Sequence, residues 1–162
     1  MTGRFRVLNA AAPEEPPLRR LREELPGMLA DEQMGAVKAV DAVLRHAARH
    51  GASDVHFEPW LESLGVRFRI DGMLYDVAEI PKAHQEQMTA RLKVLARLVV
   101  YQKDVPQDGR IEAGAVPGGA AMRVSTFPTV NGEKVVVRLL GREWELFPLD
   151  GLGFAADTVG RL

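Results

Sequence analysis

Residues 66–77 read VRFRIDGMLYDV and carry the clearest folding signal in the chain. Apolar residues occupy every second position of 66–70 and alternate with arginines, which is typical of a strand with one buried face. The Asp71-Gly72 pair that follows is a strong signal for a tight two-residue turn. The stretch therefore predicts an antiparallel hairpin in which residues 73–77 return against residues 66–70.

Helical and strand patterns alternate on both sides of this hairpin. Apolar spacings of three and four residues predict amphipathic helices from Asp31 to Gly51 and from Lys82 to about Leu98. Alternation predicts one strand around Val55 and three later strands, at residues 109–115, 120–127 and 133–140, joined by turns at 117–119 and 131–132. The sequence thus predicts an α+β domain with a mainly antiparallel sheet and two principal helices.

Residues 1–30 have a different composition, with Pro13, Pro16, Pro17 and Pro26 interspersed among charged side chains. Proline lacks an amide donor and restricts the residue before it. We therefore expect a flexible arm rather than a long helix, with room for a short helix over residues 18–25.

The overall composition excludes several classes of protein. The 162 residues include 21 Lys+Arg and 22 Asp+Glu, and the net charge of -1 argues against a dedicated nucleic-acid or membrane-surface protein. No cysteine is present, so disulfides, thiol nucleophiles and cysteine metal sites are excluded. No apolar run approaches the length of a membrane span. We expect a cytoplasmic protein without direct membrane insertion.

Catalytic motifs are missing as well. A Walker phosphate-binding loop needs a Gly-Lys pair, which occurs nowhere in the chain, and the G-x-G-x-x-G, G-x-S-x-G and H-E-x-x-H motifs are also absent. We therefore expect no catalytic residue and no self-sufficient nucleotide-hydrolysing site.

Two weaker signals favour structural roles. His56 and Glu58 form an H-x-E pattern, but the zinc deaminases that share it also need cysteine ligands, so we expect no metal site. Four carboxylates could by type serve in acid–base chemistry, yet each lies in or beside a turn, where such residues are common: Asp71, Asp104, Asp108 and Glu112.

The most informative charged residues are arginines isolated in otherwise apolar strands. They are Arg67, Arg69, Arg110, Arg123 and Arg138. The guanidinium fork suits phosphates and carboxylates. Periodicity alone favours a plainer interpretation, in which the arginines lie on the outer face of a half-exposed sheet beside acidic residues.

Several segments together resemble the ATPases of type II secretion and type IV pilus assembly. They are residues 52–59 (ASDVHFEP), 66–72 (VRFRIDG), 91–96 (RLKVLA), 106–111 (PQDGRI), 123–129 (RVSTFPT), 132–140 (GEKVVVRLL) and 152–154 (LGF). These segments occur in the family's order, over about three quarters of the chain.

The resemblance implies the second N-terminal domain of such an ATPase, a PAS-like unit over residues 31–154, with residues 155–162 as a tail or linker toward a RecA-like motor domain. The motor motifs are not in this sequence, so the domain should be non-catalytic. ATP and Mg²⁺ are implied only for the motor domain. That domain, in cis or in trans, is the implied partner, with other secretion-machinery components as further candidates and a peripheral location at the inner membrane.

The resemblance also implies roles for particular arginines. In the family this domain organises a hexamer, and arginines of its sheet reach the nucleotide phosphates held by the motor domain. By position in the motifs, these are Arg110 in PQDGRI and Arg123 in RVST, with Arg138 in GEKVVVRLL as a weaker third.

Two other functions stay open at this point. One is a stand-alone regulatory module that binds a protein, for instance a secretion ATPase, or a small ligand. The other is a nucleic-acid binder that uses Arg67, Arg69, Arg123 and Arg138, which the net charge and the few exposed aromatic residues argue against. The sequence does not distinguish type II secretion from pilus assembly.

Overall fold

The computed structural model describes residues 16–116 and 119–140. Its helices are α1 (Pro16–Leu29), α2 (Gly35–Arg49) and α3 (Gln85–Leu95), the last preceded by a 3₁₀ turn at Lys82–His84. Its strands are β1 (Asp54–Pro59), β2 (Ser63–Ile70), β3 (Met73–Pro81), β4 (Gln107–Ile111), β5 (Met122–Thr129) and β6 (Gly132–Leu139). The predictions for residues 1–15, for the turn at 117–118, for the last part of the 31–154 domain from residue 141 onward, which includes the LGF segment at 152–154, and for the tail at 155–162 fall outside the described residues.

All strands belong to one sheet in the order β3-β2-β1-β6-β5-β4, and every neighbouring pair is antiparallel. The predicted α+β class with an antiparallel sheet is therefore confirmed. Asp71 and Gly72 have φ of 49° and 81°, the left-handed conformation that the two-residue hairpin turn requires. In the β5–β6 hairpin the two loop residues are Val130 and Asn131, one position earlier than predicted, because Gly132 already pairs with Thr129.

The three helices cover one face of the sheet and leave the other open. Val55, Phe57, Val66 and Phe68 alternate along β1 and β2 and are at most 1% exposed. Helix α1 packs on α2 and on the edge strand β3, while α2 contacts α3. The core lies between this helical layer and the sheet, so the open face is available for polar and charged side chains.

The expectation of a flexible arm over residues 1–30 is wrong for residues 16–29. Leu21, Leu25 and Leu29, spaced by four residues, are 0%, 3% and 9% exposed and form the buried stripe of helix α1. Pro16 and Pro17 begin the helix, where backbone N–H groups have no intrahelical acceptor. Pro26 lies near its end, where the loss of one hydrogen bond is outweighed by the burial of the leucines.

Helix α1 also changes the environment of α2. His46 of α2 is only 7% exposed because α1 covers that side. Its Nε2 lies 3.8 Å from Glu24 of α1, and burial lowers the pKa of its imidazole despite that neighbouring carboxylate. The predicted end of α2 is confirmed, since Gly51 has a left-handed φ of 64°.

Among the described helices, none combines the length and the apolar character that crossing a bilayer would demand.

Gly109 of β4 is required by close packing against the segment that follows α3. A Cβ at this position would clash with the carbonyl oxygen of Ala96 and would lie 2.6 Å from the side chain of Leu98. We expect Gly109→Ala to lower the free energy of unfolding by about 1–3 kcal/mol, because a backbone oxygen cannot yield to the added methyl. Urea denaturation measures this. Gly27→Ala in α1 is the control: nothing lies within 4 Å of its Cβ, so stability should stay equal or rise. A neutral Gly109→Ala would refute the packing argument.

Candidate functional site

The strand register brings the predicted arginines together on the open face of the sheet. Arg138 of β6 lies directly opposite Arg123 of β5, and Arg123 lies opposite Arg110 of β4. In the other direction, Arg138 is the cross-strand partner of Asp54 in β1, which in turn is the partner of Arg69 in β2. These five residues form one continuous line across five strands, here called the arginine row.

The three arginines at the β4 end of the row are exposed. The side chains of Arg138, Arg123 and Arg110 are 67%, 65% and 62% accessible to solvent. Neighbouring strands lie about 5 Å apart, and like charges directly opposite each other destabilise a sheet. Such an arrangement of cations costs stability and is suited to an anion with several charged groups.

Acidic side chains lie beside the row, as periodicity predicted. The Nε of Arg123 is 3.5 Å from Asp108, and the Nε of Arg110 is 3.8 Å from Glu112. All four side chains are more than half exposed, so these ion pairs contribute little and leave the guanidinium groups available. Asp108 and Glu112 thus flank the row, while Asp71 lies in the β2–β3 turn and Asp104 in the α3–β4 connection.

Arg67 belongs to a separate charge network on the same face. Its Nε is 2.9 Å from Asp76, and its Nη1 is 3.4 Å from Glu58. Lys134 also bonds Glu58, at 2.8 Å. Burial raises the pKa of the Glu58 carboxyl, but Lys134 and Arg67 outweigh burial and hold it below its usual value. Because Arg67 forms ion pairs with two carboxylates, a structural role fits it.

His56 lies between Asp54 and Glu58 on β1. Burial lowers the pKa of its imidazole, and neither ring nitrogen has a hydrogen-bond partner in the described structure. Within residues 16–116 and 119–140 there is no group of three or more His, Asp or Glu side chains arranged to hold a metal ion.

A buried ion pair between α3 and β6 was missed by the sequence analysis. Lys93 Nζ lies 2.5 Å from Glu133 Oε1, with side chains 0% and 6% exposed, and it also donates to the carbonyl oxygen of Gln102 at 2.7 Å. Together with Gln85 and Thr89, the pair lines a cavity of about 500 Å³. The position of Lys93 was the one feature of the sequence that could have indicated this pair. Lys93 directly follows Leu92, which is buried, in a helix with few apolar residues.

The fold and the site define an α+β domain whose open sheet face carries a row of arginines. Residues 30–162 match the family described as "Type II/IV secretion system protein". The type II secretion system protein HxcR of Pseudomonas aeruginosa is 39% identical over 99% of this chain and 35% of its own length. The type IV pilus assembly ATPase PilB of Myxococcus xanthus is 42% identical over 76% of this chain and 22% of its own length.

The chain therefore belongs to the type II/IV secretion system protein family. It spans about a third of the length of HxcR and less than a quarter of that of PilB. The solved pilus retraction motor PilT with bound ADP is 19% identical with a TM-score of 0.49, covering 74% of this chain and 33% of that chain, which is too distant to inform the site.

Proposed function

We propose that this domain is the non-catalytic, cytoplasmic part of a secretion or pilus ATPase assembly and directs the arginine row at nucleotide phosphates held by a RecA-like motor domain. The cross-strand register of Arg138, Arg123 and Arg110 is the observation that carries the proposal. It gathers three cations from separate motifs into one line. ATP and Mg²⁺ bind on the motor domain, in cis or in trans, and the domain contributes no hydrolytic group of its own.

The chemistry of phosphoryl transfer explains what such a row contributes. Negative charge is spread over the phosphate oxygens in the transition state, and catalysis depends on placing cations against it. Guanidinium groups suit this task because they stay charged and bind two oxygens at once. Contact with a neighbouring motor domain also fixes the position of this domain relative to that motor domain. Nucleotide turnover is thereby coupled to assembly of the hexamer.

The test is the ATP hydrolysis rate of a motor complex that contains this domain. We expect Arg123→Ala to lower kcat roughly 10- to 100-fold and Arg110→Ala to have a similar effect, since each removes a charged donor from the phosphates. Both side chains are exposed, so the fold should persist.

Arg67→Ala is the matched control, because Arg67 shares the open face with the row and its charge is taken up by Asp76 and Glu58. Its kcat should stay close to that of the unmodified complex. Unchanged hydrolysis by both the Arg123 and the Arg110 variants would contradict the proposal.

A further inference from the structure

Asp54 lies in the arginine row between Arg138 and Arg69 and contacts both arginines. Its carboxylate accepts a hydrogen bond from Arg138 Nε at 2.9 Å, and Arg69 Nε lies at 3.6 Å. Ser53 Oγ donates to it at 2.9 Å. The Asp54 side chain is only 7% exposed, whereas the Arg138 side chain is 67% exposed. The buried Asp54 carboxylate thus holds the Nε end of the guanidinium of Arg138, whose side chain is exposed to solvent.

The guanidinium group of Arg138 is repelled by that of Arg123. Arg123 lies directly opposite it across the β5–β6 pair, and like charges in that position push each other apart. Arginine has many rotamers, so an unrestrained Arg138 would turn away from Arg123. Asp54 binds the Nε atom, which leaves the terminal nitrogens of Arg138 for an external anion.

The protonation state of Asp54 suits this task. Burial raises the pKa of its carboxyl, but the hydrogen bonds from Arg138 and Ser53 outweigh burial and bring the pKa below its usual value. The carboxylate therefore stays charged at neutral pH.

We propose that Asp54 is a positioning residue for phosphate recognition: it clamps Arg138 beside Arg123, so that the two guanidinium groups face the same phosphate chain. The inference rests on the proposed function of the arginine row. It adds Asp54 to the site beside the three exposed arginines. Asp54 does not touch the nucleotide and acts through Arg138.

The charge of Asp54 and its role in positioning Arg138 lead to different predictions for the kinetics of Asp54→Asn. Removing a carboxylate makes the row more positive, so electrostatics alone predicts tighter binding of ATP at an unchanged turnover rate. Loss of the clamp instead lets Arg138 move, and small misplacements of a charged donor reduce the rate of the chemical step. The two effects separate in KM and kcat.

The experiment measures kcat and KM for ATP in the same motor complex, below the thermal unfolding midpoint of every variant. For Asp54→Asn we expect kcat to fall about tenfold while KM stays equal or decreases. Asp54→Glu keeps the charge and displaces it by one methylene. Its kcat should therefore lie between that of the unmodified complex and that of Asp54→Asn. The Asp54→Glu result keeps the test decisive should Asp54→Asn fail to fold.

Glu58→Gln is the matched control, because Glu58 lies on the same strand face and also binds two cations, Arg67 and Lys134, outside the row. Its kcat should be unchanged. An Asp54→Asn variant with unchanged kcat, or a Glu58→Gln variant with an equal loss, would overturn the clamp. Arg123→Ala and Arg110→Ala in the same series test the row itself. Unaffected hydrolysis in both defeats the proposed function, whereas a loss in either of them without one in Asp54→Asn defeats only this inference.

Discussion

Lys93→Met is expected to lower the free energy of unfolding by about 3–5 kcal/mol, which is a large part of the stability of a domain of this size. The substitution removes the cation of a buried ion pair and leaves the carboxylate of Glu133, 6% exposed, without its compensating charge. It also takes away the donor to the Gln102 carbonyl, which ties the α3–β4 connection to α3. Urea denaturation followed by circular dichroism gives the change, provided that the slope of the transition is retained.

The double variant Lys93→Met, Glu133→Gln is the informative control. It removes both charges, so the penalty of an isolated buried carboxylate disappears, and stability should recover substantially relative to Lys93→Met alone. A double variant less stable than Lys93→Met would show that the two side chains do not act as a pair. A loss below about 1 kcal/mol for Lys93→Met would place the pair among weak surface bridges.

Leu21→Ala should lower the free energy of unfolding by about 2–5 kcal/mol, because Leu21 is fully buried where α1 meets the rest of the domain. Helix α1 leads the described structure and packs on α2 and β3, so the damage should concentrate there. Hydrogen exchange of the α1 amides is therefore expected to accelerate more than that of the sheet.

Glu23→Ala provides the comparison within the same helix. Glu23 pairs with Arg19 on the exposed side, with side chains 63% and 81% accessible, so its loss should change stability by no more than about 0.5 kcal/mol. Equal exchange rates in the Leu21 variant and the unmodified protein would show that α1 does not depend on this leucine for docking.

The prediction made from the sequence was wrong at α1, and the reason can be stated. The proline rules describe the cost of a missing donor in the interior of a helix, and they predicted a flexible arm. Two of the prolines in α1 lie at its start, where no donor is needed, and the third lies near its end. The stripe of Leu21, Leu25 and Leu29 outweighs that remaining cost once α2 covers it. Helix stability in proteins comes mostly from such tertiary packing.

The candidate site was only partly readable from the chain. Motifs singled out Arg110, Arg123 and Arg138, and alternation placed each on an outer strand face. Their adjacency depends on which strands pair and in what register, and β6 lies between β1 and β5 although residues 60–131 separate it from β1 in the chain. Asp54 entered the site through that same pairing.

By itself the sequence determined the α+β class, the β2–β3 hairpin and the absence of a Walker loop, because these depend on local spacing and on residue types. Only the tertiary structure decided the docking of α1, the burial of the Lys93–Glu133 pair and the line of arginines beside Asp54. Each of these joins residues distant in the chain, and their energies come from burial and charge contacts that exist only after the strands have paired and the helices have packed on the sheet.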